Sequence, residues 1–224
     1  MMFIARQYYL HFLLLSLTLF LLTAGSPSVK FAQNTVATST PMDVAIIFDQ
    51  SASRDAANQI KPKRLAQSLF PLFQLNNQNR YFIIGVGTKP SLVLNGSTDA
   101  NATYKTLVRL ASTQPEGATA LYDACYSGIE KVTQSAHSKK ILLVLSDGLD
   151  TVSNKSLSSI DRALIENKVK LYAINVMLPK ALAYQKGANA LNNLASASGG
   201  VVFHPNKPED LDAIVKGLIA RLQE

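Results

Sequence analysis

Two carboxylates and three hydroxyls, spread over three short segments, are the side chains of this sequence best suited to chemistry. Asp49-Gln50-Ser51-Ala52-Ser53 offers Asp49, Ser51 and Ser53, Glu116-Gly117-Ala118-Thr119 ends on Thr119, and Ser146-Asp147-Gly148-Leu149-Asp150-Thr151 offers Asp147. No cluster of His or Cys accompanies them. An all-oxygen set of this kind suits a hard divalent ion such as Mg²⁺ or Mn²⁺, not zinc or copper. Mg²⁺ takes six oxygens at about 2.1 Å and gives up water reluctantly. Five protein groups, some acting through water, therefore leave a place for an outside ligand. Two carboxylates balance the ion's charge, so the expected ligand is an anionic oxygen from the Asp or Glu of a partner.

Such a site needs elements that bring three distant loops together. From Pro41 onward, continuous apolar runs of strand length alternate with longer segments of helical period. The strands are expected at Val44–Phe48, Tyr81–Val86, Ile141–Leu145, Val169–Val176 and Val201–Phe203. Runs that are apolar on both faces belong to a parallel sheet covered on both sides. Ser91–Leu94 follows its predecessor across Thr88-Lys89-Pro90 and reads as an antiparallel hairpin edge strand. Helices are expected at about 62–75, 101–111, 120–134, 157–167, 184–197 and 208–222. Pro71 should end the regular part of the first near Phe70, and Asp99 and Ser156 are suited to cap the helices after them. In the helix over 120–134, Leu121, Ala124, Cys125, Gly128, Ile129 and Val132 share one face, which should lie on the sheet with Cys125 as a small buried residue.

The expected fold is thus α/β: a doubly wound, mostly parallel six-stranded sheet with one antiparallel edge strand and helices on both faces. Ligands of such sheets bind beyond the carboxyl ends of the strands, where the strand order reverses. All three oxygen-bearing segments fall just after a strand or just before a helix at that end.

At this point the chain, from about Pro41 to Leu222, resembles a von Willebrand factor type A domain. That family assembles a metal-ion-dependent adhesion site from D-x-S-x-S, a distant Thr and a distant Asp. Asp49, Ser51 and Ser53 match the first element, Thr119 in GATALYDA the second, and Asp147 in VLSDGLD the third. The resemblance implies metal-ligand roles at those five positions, with one Mg²⁺ or Mn²⁺, and it is similar in wording to exported bacterial members. It departs from them at Ala52, where Gly is frequent, and at Arg54-Asp55, where Met is frequent. Asp123, one turn into its helix, and Asp150 are candidates for supporting the ligands from behind. Asp43, opening a strand, is expected to be structural.

Other chemistries lack their parts. Gly85-Val86-Gly87 is missing the third glycine of a dinucleotide fingerprint, and no phosphate loop G-x-x-x-x-G-K-[ST] or nucleophile elbow G-x-S-x-G is present. A phosphatase aspartate after the first strand requires a second acid two residues on, where Ser51 stands. His204 ends the last strand and reads as an edge or surface imidazole. Twenty-two Lys+Arg against 15 Asp+Glu give a formal net charge of +7 over 224 residues. Those lysines are dispersed, among them Lys139, Lys140, Lys168 and Lys170, with no aromatic interleaving, so a solvated face fits them better than nucleic acid.

The residues ahead of the sheet read differently. Residues 1–25 carry Arg6 and then an apolar run over Phe12–Ala24, shorter than the roughly 20 residues that span a bilayer. They read as a secretory signal or, uncut, an N-terminal anchor. Residues 26–40 read as a polar linker and 41–224 as the domain. The expectation is an exported, non-enzymatic module, periplasmic or extracellular, that binds a protein partner through a divalent ion. The alternatives are an envelope assembly component with a stabilising ion and, more remotely, a metal-dependent phosphate hydrolase.

Overall fold

A computed structural model describes residues 40–50, 56–114 and 117–224. Ser51, Ser53 and the whole expected leader lie outside the described residues. The elements are β1 (Met42–Asp49), α1 (Pro62–Ser68), α2 (Phe70–Phe73), β2 (Arg80–Val86), β3 (Ser91–Ser97), α3 (Ala100–Leu110), α4 (Leu121–Thr133), β4 (Lys139–Ser146), α5 (Leu157–Glu166), β5 (Val169–Asn175), α6 (Tyr184–Ser198), β6 (Val201–Phe203) and α7 (Leu211–Gln223). Two single-turn 3-10 segments, Ala56–Asn58 and Pro208–Asp210, precede α1 and α7.

The six strands form one sheet in the order β3-β2-β1-β4-β5-β6. β3 is antiparallel and the other pairings are parallel, as the apolar runs imply. The order reverses between β1 and β4, so the chain leaves these two adjacent strands in opposite directions and opens a crevice at their carboxyl ends. Asp49 ends β1 and Asp147 follows β4, with Phe48 opposite Leu145 in the register between them.

Alternation along each strand divides the core in two. Val44, Ile46, Phe48, Tyr81, Ile83, Leu143 and Leu145 face Leu65, Leu69, Phe73, Leu107 and Leu218 of α1, α2, α3 and α7, including the α1–α2 junction. Ala45, Ile47, Ile84, Leu142, Val144 and Ala173 face α4, α5 and α6 through Leu121, Cys125, Ile129, Ile160, Leu164 and Leu191. Cys125 is fully buried, and burial pushes its thiol pKa up. Each large aliphatic removed from water contributes about 1.5–3 kcal/mol, so these two layers hold the ends of β1 and β4 in place.

The first helix is broken where proline predicts. Leu69 caps α1, and Pro71 stands at the start of α2, where its missing N–H would have no partner in any case. Asp99 accepts the N–H groups of Asn101 and Ala102, and Ser156 forms a capping box with Ser159. β3 extends to Ser97 through register shifts, further than its apolar stretch suggests. The last helix starts at Leu211, since the 3-10 turn takes up Pro208.

Asp43 is structural and fully buried. It accepts the His137 backbone N–H at 3.2 Å, lies 3.2 Å from His137 Nδ1, and faces Arg80 Nε at 3.9 Å. It thereby fixes the loop that leads into β4.

Candidate metal centre

The carboxyl ends of β1 and β4 bring Asp49 and Asp147 together, with Ser146 between them. The Ser146 hydroxyl is fully buried, donates to Asp49 Oδ2 at 2.6 Å and accepts the Gly148 N–H at 3.0 Å. Because its proton goes to Asp49, that carboxylate is an acceptor with a fixed orientation. Asp147 is only 5% exposed. Its Oδ1 accepts the Leu149 N–H at 2.9 Å, and its Oδ2 lies 3.4 Å from Gln59 Nε2. Desolvation first, and the charge of Asp49 second, push the Asp147 carboxyl up to about 6, against the pull of the Leu149 N–H. A carboxyl whose proton affinity is raised by a neighbouring carboxylate marks a place where a divalent cation would relieve repulsion.

Thr119 is tied to the loop that follows Asp147. Its N–H donates to Thr151 Oγ1 at 2.8 Å, and its carbonyl accepts the N–H groups of Thr151 at 2.9 Å and Val152 at 3.2 Å. Ala120 N–H reaches the Gly87 carbonyl at 2.8 Å, which anchors the same loop to the end of β2. Thr119 is 6% exposed. Its backbone and the loop after β4 therefore move as one body.

Asp123 and Asp150 serve that attachment. Asp123 accepts the N–H groups of Asn154 at 3.0 Å and Lys155 at 2.8 Å, and Asp150 accepts from Tyr122 N–H at 3.2 Å and Ser153 Oγ at 2.5 Å. Ser153 Oγ accepts in turn from Asp123 N–H at 3.1 Å. Both carboxylates thus clamp the loop after β4 to the first turn of α4, where the positive helix end favours them.

The segment that carries Ser51 and Ser53 in sequence is flanked by two anchored described ends. Gln50 donates from Nε2 to the Leu110 carbonyl at 3.0 Å and to Thr113 Oγ1, across the end of β2. On the far side, Ile60 N–H donates to Val176 O and Leu178 N–H to Asn58 O, each at 2.8 Å, about an isolated bridge between Gln59 and Met177. Ser51 and Ser53 lie between these anchors, outside the described residues. Among the described residues, no group of three or more His, Cys, Asp or Glu could hold a metal. The set fits a hard ion only as two carboxylates supplemented by hydroxyls, which is the composition of the three segments.

Ser146, Thr151, Ser153 and Gln59 are the working residues that pattern reading missed. Ser146 had a signal: a polar residue closing the apolar run ILLVL, next to the ligand aspartate. Gln59 had none, since its role depends on pairing with the segment after β5.

His204 sits just after the edge strand β6, as expected. It is half-buried, with Nε2 at 3.1 Å from Asn192 Oδ1 and Nδ1 at 3.3 Å from Tyr184 OH and 3.5 Å from Asn175 Nδ2. With Nε2–H donating to Asn192, Nδ1 accepts, so the neutral ring is the one these partners suit, and desolvation lowers its pKa. A folded pKa below the unfolded value of 6.5 means that its stabilisation is complete above that pH and is lost as pH falls through the folded value. The melting temperature should therefore drop as pH falls below 6.5, and His204→Gln should reduce that drop in a thermal scan over pH. An unchanged pH profile would contradict the assignment.

Comparison with known proteins follows the geometry. The model of the family described as the von Willebrand factor type A domain matches residues 43–217. Comparison with curated proteins gives no match. Among solved structures, an aerotolerance-related membrane protein from Bacteroides fragilis superposes with a TM-score of 0.61 at 12% identity, covering 80% of this chain and 99% of that one. The PilB minor pilin from Streptococcus sanguinis gives 0.61 at 14%, covering 83% of this chain and 62% of its own. The pilus adhesin SpaC from Lactobacillus rhamnosus GG, in an open conformation, gives 0.60 at 11%, covering 82% and 30%. At these identities the likeness is one of fold, and the match spans only part of the two pilus proteins.

Proposed function

Since the chain belongs to the von Willebrand factor type A family, we propose that it is an exported, non-enzymatic module that binds a protein partner through one Mg²⁺ or Mn²⁺. The observation that carries this reading is the approach of Asp49 and Asp147 at the reversal of strand order, with the Asp147 carboxyl pushed up by burial and by Asp49, and the tie of the Thr119 backbone to Thr151 in the loop after β4. Asp49, Ser51, Ser53, Thr119 and Asp147 would hold the ion. When bound, it supplies a Lewis-acidic position that accepts a carboxylate of the partner. Ser146 orients Asp49, the Leu149 N–H orients Asp147, and the Thr151 clasp presents Thr119. The family and its minor-pilin and pilus-adhesin neighbours support an interaction role and export. Among the described residues, no helix is long and apolar enough to cross a membrane.

The rim agrees with an acidic partner. The described loops at this end expose Lys89, Lys155 and Lys180, and Lys186 follows in the first turn of α6. Titration calorimetry of the purified chain with Mg²⁺ should show one site, and Asp49→Ala together with Asp147→Ala should abolish it. Unchanged heats in the double variant would sink the assignment. A pull-down of envelope or extracellular proteins should retain its partner in Mg²⁺ and release it in EDTA. If EDTA lowers the melting temperature but releases nothing, the ion is structural.

A further inference from the structure

The end of the sheet opposite the metal centre gathers lysines that the sequence keeps apart. Lys139 and Lys140 open β4, Lys168 immediately precedes β5, and Lys170 is its second residue. The register sets Lys140 opposite Val169 and Ile141 opposite Lys170, so Lys139 and Lys170 project on one face of the sheet and Lys140 on the other, all at its amino end. Lys139 and Lys170 share a face, and Lys170, after burial, lowers the pKa of Lys139 against the opposing pull of Glu224. Lys139 is partly occupied, since its Nζ donates to the Leu222 carbonyl at 2.7 Å. Lys168 and Lys170 are exposed and Lys140 is partly so.

Lys168 carries a second anomaly. Its φ is +54°, and it is the one non-glycine residue with positive φ among the described residues. Glycine or asparagine would adopt that turn with less strain. A long cation in a backbone position that disfavours it points to a use for the side chain.

The acids of this region have partners or stand at its margin. Asp43 is buried against His137 and Arg80, and Glu224 is engaged by Arg221 at 3.4 Å. Glu166, exposed at the end of α5, is the remaining counter-charge beside Lys168. The chain also enters the domain here: Met42 opens β1 opposite Lys139, and the apolar run over Phe12–Ala24 precedes it in the sequence.

We propose that this amino end of the sheet is a docking surface for an anionic lipid bilayer, contacted by Lys140, Lys168 and Lys170. The lysines match the negative surface in charge, and the first strand of the domain begins at the same end. Because β1, β2, β4, β5 and β6 are parallel, docking by their amino ends turns their carboxyl ends, with the metal centre, toward solvent and partners. Each lysine near such a surface strengthens binding by about five-fold at low salt, and screening removes the gain. The inference stands independently of whether an ion is bound.

The test is an amine-acetylation footprint of the full chain, read by mass spectrometry. The chain is mixed with vesicles of phosphatidylglycerol and phosphatidylcholine, or of phosphatidylcholine alone. Lys140, Lys168 and Lys170 should react several-fold more slowly on the anionic vesicles, and high salt should restore their reactivity. Lys180 and Lys186, at the opposite end, should react equally on both. Lys168→Gly relieves the backbone, so it should keep or raise the melting temperature while weakening protection of Lys140 and Lys170. Equal reactivity on the two lipids overturns the proposal. So does protection of Lys180 and Lys186 in place of the three, or protection by soluble heparin without protection by anionic vesicles.

Discussion

In metal-free protein at about pH 7.5, Asp147→Asn is expected to raise the melting temperature, and in the same variant Mg²⁺ should no longer raise it further. The first half follows from the raised carboxyl pKa. A carboxyl at about 6 when folded and 3.8 when unfolded binds a proton more readily in the folded state. Folding stability therefore declines as pH rises from about 4 to 6 and stays low above that. The difference of about 2.2 units, at 1.36 kcal/mol each, is on the order of 3 kcal/mol at neutral pH. Asparagine keeps an oxygen for the Leu149 N–H and removes the charge that Asp49 opposes. For a domain of this size the gain is roughly 5–10 °C. The second half follows from the ligand set: an ion that relieves repulsion between two carboxylates has less to gain from one. Differential scanning fluorimetry of both proteins, with EDTA and with millimolar Mg²⁺, checks both halves. A metal-free variant that melts below the parent would remove the repulsion argument. A variant that still responds fully to Mg²⁺ would remove Asp147 from the site.

Gly187→Ala should be the most damaging single-methyl addition near the metal centre. Gly187 lies in the first turns of α6, and a Cβ built there would sit 1.9 Å from the Asp147 carbonyl oxygen. The contact is backbone against backbone, so no side-chain rotation relieves it. Alanine in a helix gains about 1 kcal/mol over glycine, but overpacking of a rigid core site costs about 1–3 kcal/mol or more, and here either α6 or the loop after β4 must move. Gly148 meets the same helix, with φ +80° and a would-be Cβ 2.3 Å from the Gly187 carbonyl oxygen. A net loss of about 2 kcal/mol is expected, together with weaker Mg²⁺ binding because Asp147 is displaced. Thermal melts and calorimetry of the variant test this. Parent-like stability and Mg²⁺ affinity together would show that the approach of α6 does not set the position of Asp147.

The contrast between Asp147 and Gly187 also separates what was legible in the sequence from what was not. The position of Asp147 beside Asp49 was legible as an expectation because an ion that prefers oxygen would select Asp, Ser and Thr, and these fell on strand-end loops. Apolar runs without alternation announced a sheet buried on both faces, and Pro71, Asp99 and Ser156 marked helix ends through local backbone rules. Gly187 was not legible, because its requirement comes from a carbonyl forty residues away in sequence. Ser146 and Gln59 were missed, and the partners of His204 were not foreseen, for a related reason. A hydroxyl, an amide or an imidazole has many uses, and only its neighbour decides which.

By itself the sequence determined the alternation of strands and helices and the buried faces, and it nominated Asp49, Ser51, Ser53, Thr119 and Asp147 as oxygen ligands, since periodicity and residue type are local properties. Tertiary structure alone decided the rest. It set the strand order that places Asp49 beside Asp147, the Ser146 bond that orients one carboxylate while its neighbour is desolvated, and the parallel register that sets Lys140 and Lys170 on adjacent strands. Each of these depends on distances between residues far apart along the chain, and those distances exist only once both faces of the sheet are packed.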